Sequence, residues 1–195
     1  MSELLVLYYS QAGSTEALAR QVCRGVDAVD GVASRLRTVP PVSSVAEASQ
    51  DEVPQDGPPY VTTQDLSECI GLIMGSPTRF GNMDASLKYF IDSTVAEWIS
   101  AAAVGKPFGL FTSTSSLHGG QESTLLSMAL PLIHHGMIYV GIPWTEPALS
   151  ATTTGGTPYG ASHVSWSREH ELSDDEKSLA RALGKRVAEI AQKLA

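Results

Sequence analysis

Five short strand-like runs alternate with stretches of helical period along this chain, and that alternation constrains the fold more than any other feature. Leu4–Tyr9 is continuously apolar, the pattern of a central parallel strand covered on both faces. Ile70–Met74, Phe108–Thr112 and Met137–Ile142 repeat it. Arg35–Val39 is partly polar and suits a place near a sheet edge. From Thr15 the pattern is helical: Leu18, Val22, Val26 and Val29 share one face, and Gly31 follows as a stop. Thr63 can cap a short helix through about Glu68. A helix over Ala85–Ala102 places Leu87, Phe90, Ile91 and Val95 on one side, with Trp98 near its far end. Another, over Glu122–His134, carries Leu125, Met128, Ala129 and Leu132; Pro131 is expected to bend or shorten it. Ser173 and Glu176 have capping-box spacing before a final helix with Leu179, Leu183, Val187, Ile190 and Leu194 on one face.

Strands alternating with helices specify an α/β fold: a doubly wound parallel sheet with helices on both faces. With right-handed crossovers and five strands, the leading order is 2-1-3-4-5. Pro40–Tyr60 holds five prolines and is rich in Ser and acidic residues. It is too long for an ordinary connection and reads as an insertion after the second strand, either ordered by a partner surface or mobile. Pro143–His170 shows no sustained period and reads mostly as loop. There are no repeats, and residues 1–195 read as a single domain.

Composition narrows the function. Of 195 residues, 43% are hydrophobic, enough for a sizeable core. The net charge of −8 argues against a nucleic-acid groove or an anionic membrane surface, which need clustered Lys and Arg. Arg181, Lys185 and Arg186 read as a solvated helix face. Cys23 and Cys69 lack metal or CxxC spacing and read as reduced thiols, which suits a reducing cytosol. Leu4–Tyr9 is too short for a signal sequence or a membrane span, so a soluble, cytoplasmic protein is expected.

In such sheets ligands bind beyond the carboxyl ends of the strands, where the strand order reverses. Three loops rich in Gly, Ser and Thr converge there. The first is Ser10, Gln11, Ala12, Gly13, Ser14 and Thr15. It matches neither GxGxxG nor GxxxxGK[ST], and its lack of lysine argues against a nucleoside triphosphate. Its hydroxyls, N–H groups and helix N-terminus suit one phosphate monoester dianion held without a metal; a plain strand-to-helix turn is the alternative. The second is Pro77, Thr78, Arg79, Phe80, Gly81 and Asn82. A guanidinium and an aromatic ring beside a glycine can border a flat heteroaromatic ligand; alternatively the stretch is a helix lead-in with Asn82 or Asp84 as N-cap. The third, Ser113–Gly120, can close the other edge of that ligand. His134 and His135 end a helix, where a histidine also interacts favourably with the dipole. No spacing fits a metal site, and there is no GxSxG nucleophile elbow.

Taken together, "LVLYYS", "GSPTRFGNM", "STSSLHGGQE", "HHGM" and "GGTPYGA" resemble the WrbA-type NAD(P)H:quinone oxidoreductases, flavodoxin-like FMN proteins, nearly end to end. The resemblance implies a flavodoxin-like fold and a reaction in two halves. NADH or NADPH delivers a hydride to FMN; a quinone then replaces the nicotinamide and is reduced by two electrons to the hydroquinone, without release of a semiquinone. It implies a homotetramer, a dimer of dimers, with flavin sites built across subunits. By the same likeness, Ser10–Thr15 cradle the FMN phosphate. Thr78, Arg79 and Phe80 line the isoalloxazine, with Pro77, Gly81 and Asn82 in the supporting turn. Ser113, Thr114, Ser115, Ser116, Leu117, His118 and Gly119 wrap the ring edge and ribityl region. His134 approaches the flavin and stabilises the reduced quinone, and Trp98 of a neighbouring subunit forms an aromatic wall for the quinone. A one-electron carrier of the flavodoxin kind is the alternative.

The chain departs from the family pattern in two places. Many relatives carry an aromatic residue, often tyrosine, at the place of Ala12, associated with the nicotinamide cofactor. Its loss removes a stacking surface worth ~1 kcal/mol. The third loop has "SSLHGG" for a mostly glycine run and is one residue longer, so Leu117 and His118 reshape the pocket edge.

Overall fold

A computed structural model describes residues 1–42, 57–165 and 171–195. In chain order the elements are β1 (Ser2–Tyr8), α1 (Ser14–Val26), β2 (Val32–Thr38), α2 (Thr63–Glu68), β3 (Leu72–Pro77), α3 (Ala85–Asp92) and α4 (Val95–Ile99). There follow β4 (Pro107–Thr114), α5 (Gln121–His134), β5 (Ile138–Tyr139), α6 (Ala148–Ala151), β6 (Ala161–Val164) and α7 (Asp174–Leu194). The sheet order is β2-β1-β3-β4-β5, as the alternation of runs predicts, and each pairing is parallel.

The sheet has six strands, not five. β6 pairs with β4 over Phe111–Thr114, while β5 pairs with Pro107 and Phe108 on the same edge. The two therefore lie end to end, as one strand position divided in two. The expected run over Met137–Ile142 stops pairing early, because the Ile142 N–H donates to Pro158 O at 2.9 Å instead of to β4. β6 escapes a sequence reading because Ser162 and His163 interrupt its apolar character. Both are nonetheless buried, with partners on α5 and α7.

β1 shows why a continuous apolar run belongs here. Leu4, Val6 and Tyr8 face one side, where Leu18, Val22, Leu179, Leu183 and Val187 of α1 and α7 cover them. Leu5 and Leu7 face the other, packing with Leu87, Phe90, Leu125, Met128 and Leu132 of α3 and α5. Each fully buried leucine contributes about 2 kcal/mol.

Two helix expectations change. The helix expected over Ala85–Ala102 is two, because the Ser93 and Thr94 hydroxyls donate to Phe90 O and Ile91 O, each at 2.7 Å. Side-chain hydroxyls that take such carbonyls compete with the helical ladder. Pro131 does not shorten α5, which reaches His134. The capping box of α7 forms as expected, with Ser173 and Glu176 bonding reciprocally.

Most of the insertion expected over Pro40–Tyr60, residues 43–56, lies outside the described residues, as do residues 166–170 of the loop expected over Pro143–His170. Just past residues 43–56, Pro59 O accepts from Thr38 N (3.2 Å), and Val61 N donates to Thr38 O (2.8 Å). Among the described residues, no helix is long and apolar enough to cross a membrane.

Candidate functional site

Strand order reverses between β1 and β3, and the loops after β1, β3 and β4 meet at that edge. In the first, Gly13 is left-handed (φ 92°), and its N–H donates to Ser10 Oγ at 3.0 Å. A Cβ placed on Gly13 meets nothing within 4 Å, so the space beside it is open. Gly13 brings no capping side chain to α1. The first turn, with the Ser14 and Thr15 hydroxyls, therefore presents N–H donors and a partial positive charge suited to an anion. Ala12 and Gln11 are exposed on the rim.

The second loop is a tight turn. Arg79 and Asn82 exchange backbone hydrogen bonds of 2.8 and 3.0 Å, and both central residues, Phe80 (φ 53°) and Gly81 (φ 77°), are left-handed. That geometry suits glycine and strains phenylalanine by about 1–3 kcal/mol. The strain holds the Phe80 ring fully exposed at the site's edge. The helix cap is settled: Asp84, not Asn82, is the N-cap, accepting from Ser86 N, while Asn82 Oδ1 accepts from Met83 N.

Side chains lock the loops into one unit. Thr15 and Ser113 hydroxyls are hydrogen-bonded at 2.8 Å, joining the first loop to the third. Arg79 Nη2 donates to Gln11 Oε1 at 2.6 Å, joining the second to the first, and Arg79 Nε pairs with Asp84 at 3.0 Å. Thr78 N donates to Ser113 O (3.0 Å), and the Thr78 hydroxyl bonds Thr124 on α5 (2.7 Å). Pro77 ends β3 beneath this turn. In the third loop, Ser116 O accepts from Thr114 Oγ1 (2.9 Å) and Gly119 N (3.0 Å), and Leu117 O accepts from Gln121 Nε2 (3.0 Å). Ser115, Leu117 and His118 project outward. Leu117 and His118 line a cavity of about 570 Å³ with Thr154 and Gly156, which brings the "GGTPYGA" loop to this site.

His134 and Trp98 are not with these loops. Their rings stack, with centroids 5.7 Å apart, and Trp98 Nε1 donates to His134 O at 3.1 Å. α5 starts at the third loop and ends at His134, about 20 Å away for its 14 residues. Past that end, Gly136 O accepts from Gly105 N, just before β4 begins, so the pair sits at the opposite edge of the sheet. There Trp98, His134 and His135 line a cavity of about 340 Å³ with Pro131 and Val95. Burial, and then the neighbouring His134, lower the pKa of His135, whose Nε2 bonds Thr94 Oγ1 at 3.0 Å.

Sequence reasoning missed His163. Its Nδ1 lies 2.9 Å from Glu176 Oε2, and both residues are almost wholly buried. Glu176 also accepts from Gly155 N, Val164 N and Ser173 N. Burial pushes its carboxyl up, but His163 and the backbone donors outweigh burial and bring it down to about 2. The spacing Ser173-x-x-Glu176 identifies the glutamate as a cap. A histidine in a four-residue run gives no sign that it shares that cap.

A doubly wound parallel sheet with a lysine-free anion cradle and a ring-bordering turn at its switch point defines a flavodoxin-type mononucleotide-binding protein. The family model "NADPH-dependent FMN reductase" matches residues 3–145, and the chain belongs to that family. It is 40% identical over its whole length to an NAD(P)H dehydrogenase (quinone) of Chromohalobacter salexigens, all of which is matched. It is also 40% identical to one of Syntrophobacter fumaroxidans, over 98% of each chain. Among solved structures, the flavodoxin, WrbA-like protein from Agrobacterium tumefaciens superposes over the whole of both chains with a TM-score of 0.72 at 25% identity. The residues of the cradle fit FMN: hydroxyls and N–H groups suit one phosphate, and the turn with Arg79 and the exposed Phe80 can border the ring. Among the described residues, no group of three or more His, Cys, Asp or Glu is placed to hold a metal.

Proposed function

We propose that this protein is an FMN-dependent NAD(P)H:quinone oxidoreductase that reduces quinones to hydroquinones in a ping-pong sequence. The observation that carries the reading is the set of bonds that lock the three loops together, Thr15–Ser113 and Gln11–Arg79, with Thr78–Thr124 tying the second loop to α5, beside the open space at Gly13. When bound there, FMN supplies the redox chemistry, with hydride in from NAD(P)H and hydride out to the quinone. Ser10, Gln11, Ala12, Gly13, Ser14 and Thr15 hold the phosphate. Thr78, Arg79 and Phe80 line the ring over the turn of Pro77, Gly81 and Asn82. Residues 113–119 wrap the ribityl side and ring edge.

Trp98 and His134 act as one unit on the active site of another subunit. Support comes from their place at the far end of α5 and from the exposed apolar residues around them: Val95, Ile99, Leu130 and Ile133. Such a patch marks an association surface. The proposed assembly is a homotetramer, a dimer of dimers. In it, Trp98 walls the quinone, and His134 hydrogen-bonds the quinone oxygen as negative charge develops there. Hydride plus one proton completes the hydroquinone. The net charge of −8 fits small-molecule substrates better than a nucleic-acid or anionic-membrane partner, and unpaired Cys23 and Cys69 fit the cytoplasm. We treat residues 1–195 as one FMN-binding domain.

The test is reconstitution followed by turnover. The protein should bind one FMN per subunit, oxidise one NADH or NADPH per flavin without air, and turn over further only when benzoquinone is supplied. Stoichiometric FMN with no quinone turnover would instead favour a one-electron carrier.

A further inference from the structure

The five-residue helix α4 carries Trp98 yet buries none of its own residues; Val95, Trp98 and Ile99 are all exposed. Burial of an apolar face therefore does not set the direction in which α4 presents its indole. Its hydrogen bonds carry that task, and two of them come from consecutive residues at the end of α5. His134 O accepts from Trp98 Nε1 at 3.1 Å, and the His135 ring meets Thr94 Oγ1 at 3.0 Å. Thr94 is the N-cap of α4, and its carbonyl oxygen accepts from Trp98 N at 3.0 Å. The bonds close a ring: His135 to Thr94, Thr94 to Trp98, Trp98 to His134, and back along the chain to His135.

We propose that His135 is the positioning residue of the quinone wall: its Nε2–H holds the Thr94 hydroxyl, and with it the start of α4, so that the Trp98 indole stacks on His134. This rests on the reading of Trp98 as that wall.

The tautomer follows from Thr94. Its hydroxyl has one hydrogen, which it donates to Ile91 O at 2.7 Å. Towards His135 it can only accept, so Nε2 carries the ring hydrogen. Nδ1 has no hydrogen-bond partner among the described residues, so no other bond competes for that tautomer. Burial, and then the neighbouring His134, lower the His135 pKa, which keeps the ring neutral.

The same tautomer sets His135 apart from His134. With Nε2 engaged by Thr94, the bare Nδ1 has no hydrogen to offer a quinone oxygen. His135 therefore acts through Trp98 and not on the quinone. Thr94 and His135 are both buried, so the bond is shielded from water. Removing its donor leaves the acceptor side of the hydroxyl empty and frees the start of α4.

Anaerobic stopped-flow of the FMN-loaded protein, reduced with NADH and then mixed with benzoquinone, tests this with paired variants. In His135→Gln the amide nitrogen stands at the place of Nε2; in His135→Asn it stands at the place of Nδ1, too short to reach Thr94. The second-order rate of flavin reoxidation should fall about tenfold in His135→Asn and stay within about twofold of wild type in His135→Gln. Flavin reduction by NADH should change little in either. Thr94→Val removes the bond from its other end and should fall as His135→Asn does, which keeps the test should the asparagine variant not fold. Trp98→Ala should fall at least as far, and adding His135→Asn to it should change nothing more. A multiplied loss in the double variant, or equal rates in the asparagine and glutamine variants, overturns the proposal. If Trp98→Ala is reoxidised as wild type is, the quinone-wall reading fails first and this inference with it.

Discussion

Trp98 stacks on His134 at 5.7 Å and 24° from parallel, and its indole N–H donates to the carbonyl oxygen of the same histidine. The two residues are thereby one rigid unit, placed beside the start of β4, whereas the cradle follows its end. In the proposed tetramer such a unit serves the flavin of another subunit. Trp98→Ala should therefore slow quinone reduction far more than flavin reduction by NAD(P)H. Mixing it with a cradle-dead variant under subunit exchange should restore turnover. Equal slowing of both half-reactions, with no recovery on mixing, would count against the shared site.

Gly13 is the most sensitive position of the cradle. Its φ of 92° disfavours any side chain, and a Cβ would project into the open space where the phosphate is proposed to sit. Gly13→Val should weaken FMN binding by about a hundredfold or more, since the side chain intrudes on the bound phosphate, while the φ strain lowers the stability of the loop itself. Flavin titration of the purified variant reads this directly, and stoichiometric FMN at wild-type affinity would remove the loop from the phosphate site.

Ala12 lies exposed on the same rim, so a larger side chain there meets no core. Ala12→Tyr should tighten NADH binding by roughly fivefold, the value of ~1 kcal/mol of ring stacking. The NADH Michaelis constant measures it, and no change would place the nicotinamide elsewhere.

Glu176 links the fold to pH. Its folded pKa of about 2 lies below the ordinary 4.5. The stabilisation is therefore complete above about pH 4.5 and is lost as pH falls towards 2, about 3 kcal/mol in all. Glu176→Gln should abolish that part of the acid response. It should also cost roughly 2–4 kcal/mol at neutral pH, because an amide cannot accept from three backbone N–H groups and His163 together. Acid and urea unfolding curves would show both effects; superimposable curves for variant and wild type would contradict the assignment.

The sheet order was legible because β1 must be apolar on both faces, and Leu4–Tyr8 is. The three loops were legible because each is a run of Gly, Ser and Thr that directly follows an apolar strand. β6 was not, because burial there is made by hydrogen bonds to Ser162 and His163, which look polar in a sequence. The break between α3 and α4 was hidden similarly, in two hydroxyls that look like ordinary helix surface. The distance between His134 and the cradle is a matter of helix length and direction. The family resemblance alone placed His134 in the site, and the course of α5 carries it about 20 Å from the loops of its own chain.

Anaerobic stopped-flow of the FMN-loaded protein tests the central claim most directly. Mixing with NADH or NADPH should bleach the visible flavin absorbance in one phase, and a following mix with benzoquinone should restore it with formation of one hydroquinone per flavin. A flavin that neither nucleotide bleaches, or that a quinone fails to reoxidise, would contradict the account.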